Sequence, residues 1–138
     1  MKSYRFADIH PGLSHSFQVT VTTEMMEKFR DISGDGNPLH TDKEFASQFG
    51  HPERVVYGML TASFYSTLVG MYLPGMYALF HGADISFVSP VFPGDTLTVS
   101  GEVVATHEVF RQVELKASIT NQHGKKVSRA KIRTGVHE

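Results

Sequence analysis

The chain has 138 residues, a length that suits one domain around one core. Hydrophobic residues make up 41% and charged residues 20%, a globular rather than a disordered balance. Thirteen basic against fourteen acidic side chains leave a formal charge of −1, with no basic excess for nucleic acid or an anionic membrane, and the absence of cysteine excludes disulfides, thiolate metal sites and a cysteine nucleophile.

The opening residues, Met1-Lys2-Ser3-Tyr4-Arg5-Phe6-Ala7-Asp8, hold no apolar run. No signal peptide is therefore expected, and a reducing cytoplasm suits the chain. His15–Thr20 alternates as a short strand. Thr22 and Thr23 can cap a helix to about Ser33, with Glu24 and Glu27 near its positive end and Met25, Met26, Phe29 and Ile32 on its apolar side. A turn follows, Ser33-Gly34-Asp35-Gly36-Asn37-Pro38-Leu39-His40. Thr41-Asp42-Lys43-Glu44 has the form of a capping box and opens a short helix ending near Gly50, with Phe45, Ala46 and Phe49 on its buried side.

From Val55 to Phe80 there is no Asp, Glu, Lys, Arg or His. The stretch is long enough to raise the question of a membrane helix. Four hydroxyls (Thr61, Ser63, Ser66 and Thr67), flanks without cationic clusters and the stop at Pro74-Gly75 favour a helix over about Gly58–Tyr72 buried in a core, with Met59, Met71 and Met76 as core filler.

The period then changes. Met76–Phe80 and Ala83–Val88 read as strand with a bulge at Gly82, and Pro90 and Pro93-Gly94-Asp95 form a turn. Leu97, Val99, Gly101, Val103 and Ala105 alternate with polar neighbours, as do Val109, Arg111, Val113, Leu115, Ala117 and Ile119. Asn121-Gln122-His123-Gly124 is a hairpin turn before a last strand, Val127 to Val136. Long consecutive strands with short connections predict an antiparallel sheet bent around one helix. That is an α+β single domain over 1–138, without a βαβ crossover or a phosphate-binding loop.

The turn holds the chemistry. Asp35 and His40 lie five residues apart, and a carboxylate with an imidazole is the minimum equipment for acid–base work on water. Gly34 and Gly36 permit angles that side chains forbid, and Pro38 biases Asn37 toward an extended backbone. The same residue types also build ordinary connecting loops, so both readings stand at this point. The remaining histidines, at 10, 15, 51, 81, 107, 123 and 137, show no metal-ligand spacing, and no metal is assigned to them.

Phe29-x-x-x-Ser33-Gly34-Asp35-x-Asn37-Pro38-Leu39-His40-x-Asp42-x-x-x-Ala46 resembles the hydratase motif of the MaoC-like, (R)-specific enoyl-CoA hydratases, which have the hot-dog fold. Gly58-Met59-Leu60-x-x-Ser63-x-x-Ser66 is similar to the start of that family's central helix, and Ile85-Ser86-Phe87-x-x-Pro90-Val91-Phe92-x-Gly94-Asp95 to its following strand and turn. The resemblance implies that Asp35 and His40 activate a water that adds to C3 of a trans-2-enoyl thioester. It implies that the backbone N–H of Gly58 stabilises the thioester oxyanion, although a glycine kept only for tight packing would look the same. It further implies that Asn37, Tyr57 and Ser66 shape the loop or meet the substrate. Tyr57 departs from the family pattern, since many relatives carry a histidine there. No cofactor is implied beyond the coenzyme A or acyl-carrier thioester of the substrate. A homodimer or higher homo-oligomer in the cytoplasm is implied, with no nucleic-acid or membrane partner. The alternatives are an acyl-carrier-protein 3-hydroxyacyl dehydratase, a hot-dog thioesterase and a non-catalytic acyl-thioester binding module.

Overall fold

The alternating half of the chain builds one antiparallel sheet in the computed structural model, which describes residues 1–138. Its strands are β1 (Ser14–Thr20), β2 (Ala78–Phe87), β3 (Thr96–His107), β4 (Gln112–Thr120) and β5 (Lys126–Val136), in the spatial order β1-β3-β4-β5-β2. β2 does not pair with the strand that follows it. It lies at the far side against β5, so β1 and β2 are the two edges. Alternation puts Leu97, Val99 and Val103 of β3, Val113, Leu115 and Ile119 of β4, and Ile132 of β5 on the inner face, each 1% exposed or less.

Four α-helices, α1 (Thr23–Ser33), α2 (Pro38–Thr41), α3 (Lys43–Ser47) and α4 (Gly58–Met71), and a short 3-10 turn at Phe6–Asp8 accompany the sheet. α4 lies on the inner face, with Tyr65, Leu68 and Val69 buried. Gly101 of β3 lets it come close, because a Cβ there would stand 2.7 Å from Leu68 Cδ2. The Tyr65 hydroxyl donates to Ser128 Oγ at 2.9 Å, and that hydroxyl donates to the Ser86 carbonyl at 3.0 Å. This relay satisfies a buried phenol and ties α4 to β5 and β2.

The bulge expected at Gly82 is present as a register shift between Phe80 and Gly82 within one continuous strand. Other expectations need correction. The strand expected from Val109 begins at Gln112, because the chain reverses through Arg111 at φ 50 and leaves Val109 exposed. Asp42, not Thr41, caps α3, its Oδ1 accepting from the Glu44 and Phe45 amides at 3.0 and 3.2 Å. Thr41 instead closes α2, an extra helical turn started by Pro38 at its first position and capped by Asn37.

Nor is α4 buried all round. Met59 is 63% exposed and Met71 44%, and Ser63, Ser66 and Thr67 share their open stripe. Positions four, seven and eight apart fall on one side of a helix, and a single sheet covers only the opposite side. Met59, Met71 and Met76 are thus surface rather than core, as are Ile32 and Phe49. No helix is long and apolar enough to cross a membrane.

Candidate active site

The loop between α1 and α2 is a chain of short side-chain-to-backbone bonds. Gly34, at φ 72, ends α1 and donates its N–H to the Arg30 carbonyl at 2.8 Å. Ser33 Oγ donates to the Phe29 carbonyl at 2.7 Å and accepts from the Asp35 amide at 3.1 Å. Asp35 Oδ1 accepts from the Asn37 amide at 3.0 Å, and Asn37 Oδ1 accepts from the Leu39 amide at 2.9 Å. Each of these bonds bends the backbone locally in place of a helix or strand ladder. Asp35 ends exposed, with its second carboxylate oxygen uncommitted within the chain.

His40 sits on α2, half-buried, with Nδ1 2.7 Å from the Val55 carbonyl oxygen. A carbonyl only accepts, so Nδ1 carries the proton and Nε2 presents its lone pair. The Val55 amide returns a bond to the Leu39 carbonyl at 3.1 Å, and the Val56 amide donates to the Val91 carbonyl at 2.8 Å. The imidazole is therefore clipped to the segment that leads into α4.

Tyr57 joins these parts. Its ring lies on the His40 imidazole, centroids 4.1 Å apart and planes 29° apart, and packs against Phe29 at 4.8 Å. Its hydroxyl donates to the Asp35 carbonyl at 2.6 Å. Burial, and next the Asp35 charge, raise its pKa above the ordinary phenol value, so it stays a donor. Gly58 then opens α4. The Tyr57 carbonyl takes the Leu60 and Thr61 amides, while the Gly58 and Met59 amides find no acceptor within the chain. A Cβ on Gly58 would stand 3.2 Å from the Phe87 ring, so close packing favours the glycine as well.

His40 and Gly58 share the wall of a cleft of about 400 Å³, otherwise built largely from Val55, Val56, Phe87, Pro90, Val91 and Val127. A second, wider concavity of about 1470 Å³ is a trough on the sheet's outer face, lined in part by Glu102, Lys116 and Arg133. None of the sequence-predicted site residues lines it, whereas His40 and Gly58 line the smaller cleft. No three His, Asp or Glu side chains cluster closely enough to hold a metal ion.

Residues 7–125 match the family described as MaoC like domain. The chain belongs to this family. An (R)-specific enoyl-CoA hydratase of Aeromonas caviae is 41% identical over 96 residues, 70% of this chain and 72% of that protein. A mitochondrial 3-hydroxyacyl-acyl-carrier-protein dehydratase of Arabidopsis thaliana is 31% identical over 97 residues, 70% of this chain and 57% of that protein. The solved structure of an (R)-hydratase from A. caviae involved in PHA biosynthesis superposes with a TM-score of 0.89 at 31% identity, covering 94% of this chain and 98% of that one. The hot-dog architecture expected of the fold is shared with it.

In this MaoC-like chain His40 and Gly58 meet at one cleft, Tyr57 stacks on His40, and Asp35 is exposed and outside the cleft lining, tied to Tyr57 through its carbonyl. Asn37 works on its own turn as the α2 cap. Ser66 is on the open stripe of α4, eight residues on from Gly58 and so about 12 Å along the helix axis. Three participants escaped the sequence reading. Val55 acts through its carbonyl, which any residue supplies and no sequence marks. Phe29 and Phe87 stood in the quoted motifs, but only as matching letters, without the contacts they make.

Proposed function

We propose that this MaoC-like protein is an (R)-specific enoyl-CoA hydratase. It adds water across the double bond of a trans-2-enoyl-CoA, reversibly, to give the (3R)-3-hydroxyacyl-CoA. The observation that carries this reading is the His40 ring. Val55 fixes its tautomer so that Nε2 is a base, and it shares a cleft with the unbonded amide at the start of α4.

The chemistry follows from those groups. Nε2 of His40 takes a proton from water as the water oxygen bonds to C3. The double-bond electrons shift toward the thioester carbonyl, whose oxygen gains charge facing the Gly58 N–H at the positive end of α4. The Asp35 carboxylate holds the water through its other hydrogen, and the pair returns a proton to C2. No cofactor is needed, because hydration moves a proton and a hydroxide with no net electron transfer. Coenzyme A, or an acyl carrier, enters only as part of the substrate. Ser66 and the open stripe of α4 line the path of the acyl chain beyond the thioester.

A homodimer or higher homo-oligomer supplies the cover this site lacks in one chain. The open stripe of α4 and the apolar side chains of the edge strand β2, among them Leu79 and Phe87, offer the surface for it. A chain without cysteine suits the cytoplasm, where we place the reaction.

The Arabidopsis relative favours one neighbouring reading, the reverse dehydration on an acyl-carrier thioester. The test is to incubate the protein with crotonyl-CoA, and separately with its acyl-carrier thioester, and follow the ultraviolet absorbance of the conjugated thioester. Loss of absorbance, with a (3R)-hydroxyacyl product by chiral chromatography, is expected. Release of free thiol would instead make the protein a thioesterase, and binding without turnover a non-catalytic acyl-thioester binding module.

A further inference from the structure

We propose that Tyr57 is a positioning residue, whose hydroxyl and ring together hold the Asp35 loop and the His40 imidazole in one geometry beside the Gly58 amide. This rests on the hydratase reading of the site.

The loop needs an external anchor. From Ser33 to Asn37 every other hydrogen bond runs to a partner between Phe29 and Thr41, including Thr41 Oγ1 to the carbonyls of Gly36 and Asn37. Those bonds fix the loop's internal shape and leave its place relative to the cleft open. The Tyr57 hydroxyl, at 2.6 Å from the Asp35 carbonyl, is the one bond that comes from beyond them.

His40 has a complementary need. Its Nδ1–H bond to Val55 leaves the ring free to rock about that axis, and the Tyr57 face 4.1 Å away fixes the plane. Tyr57 can serve as a fixed point because it is itself immobilised, 2% exposed and backed by Phe29. Its own backbone leads directly into Gly58. It is not an acid or base here: it stays protonated, its proton is committed to a carbonyl, and it does not line the cleft.

Tyr57→Phe tests this, since it removes the hydroxyl and keeps the ring. Steady-state kinetics with crotonyl-CoA are read beside amide hydrogen exchange by mass spectrometry. We expect kcat to fall roughly tenfold, the factor one ordinary hydrogen bond carries, with KM within about twofold. Exchange should quicken in the peptide over 33–37 and stay unchanged over β3 and β4. Wild-type kcat or wild-type loop exchange overturns the proposal. So does faster exchange throughout the sheet with a lower melting temperature, because Tyr57 would then be only a core residue. If the wild-type protein hydrates no enoyl-CoA, the hydratase reading has failed, and the exchange arm still decides whether Tyr57 anchors the loop.

Discussion

In the proposed mechanism His40 acts as a base because of the nitrogen that does not react. With Nδ1–H given to Val55, only Nε2 is left to accept a proton. Removing the imidazole, or neutralising Asp35, should therefore cost far more in turnover than in stability, since Asp35 is exposed and His40 half-buried. His40→Ala and Asp35→Asn are each expected to lower kcat by about 10²–10⁴ with circular dichroism unchanged. Wild-type turnover in either variant would remove that residue from the mechanism. A different histidine contributes to acid stability. Burial, and then Lys2, lower the pKa of His15, whose Nε2 lies 2.9 Å from the Tyr4 hydroxyl. The folded state thus resists a proton that the unfolded chain accepts near 6.5. The stability it contributes is complete above that pH and lost as the pH falls through the lower folded value. Melting temperatures measured from neutral to mildly acidic pH should fall less steeply for His15→Gln than for the wild type, and parallel curves would refute this.

Between elements, the contact that seats α4 on the sheet is Leu68 over Gly101. Leu68→Ala should cost about 2–5 kcal/mol in chemical denaturation by leaving a cavity. Gly101→Ala should cost about 1–3 kcal/mol by pushing Leu68 out of its seat. The double variant should cost less than the sum, because the truncated side chain makes room for the new methyl. Additive costs would mean the two sites do not press on each other. This is also the scale at which sequence stops short. Strands β3 and β5 were legible because a half-buried strand alternates with period two, and α4 because Gly58 and Pro74-Gly75 bracket it. The placing of β2 beside β5 was not, since nothing local in Ala78–Phe87 says which strand it meets. Nor was the open side of α4: apolarity is written in Met59 and Met71, but how many sides a single sheet covers is not. Asp35, His40 and Gly58 could be picked out by side-chain type, whereas the Val55 carbonyl and the direction of the Tyr57 hydroxyl emerge only from folded geometry.

For the whole molecule, apolar surface marks where the proposed second copy would dock. Leu79 on the edge strand β2 is 51% exposed, and the α4 stripe adds Met59 and Met71. An unpaired edge with apolar side chains is an invitation to another chain unless it is covered. Sedimentation velocity should find a dimer or larger assembly for the wild type and monomers for Leu79→Lys and Met71→Glu, with activity falling alongside. Variants that stay assembled would place the interface elsewhere.

Between His40 and Val55 the chain makes a detour through α3, and it closes where it opened. The Val55 amide meets the Leu39 carbonyl, and the Val55 carbonyl meets the His40 ring. The Arg54–Glu27 pair ties the detour to α1. Its far end brings His51 against Phe92, next to the cleft wall at Val91. Insertions and deletions inside this closed excursion leave its two ends where they are. Evolution can thus rewrite the rim of the cleft, residue by residue or wholesale, while the base keeps its place.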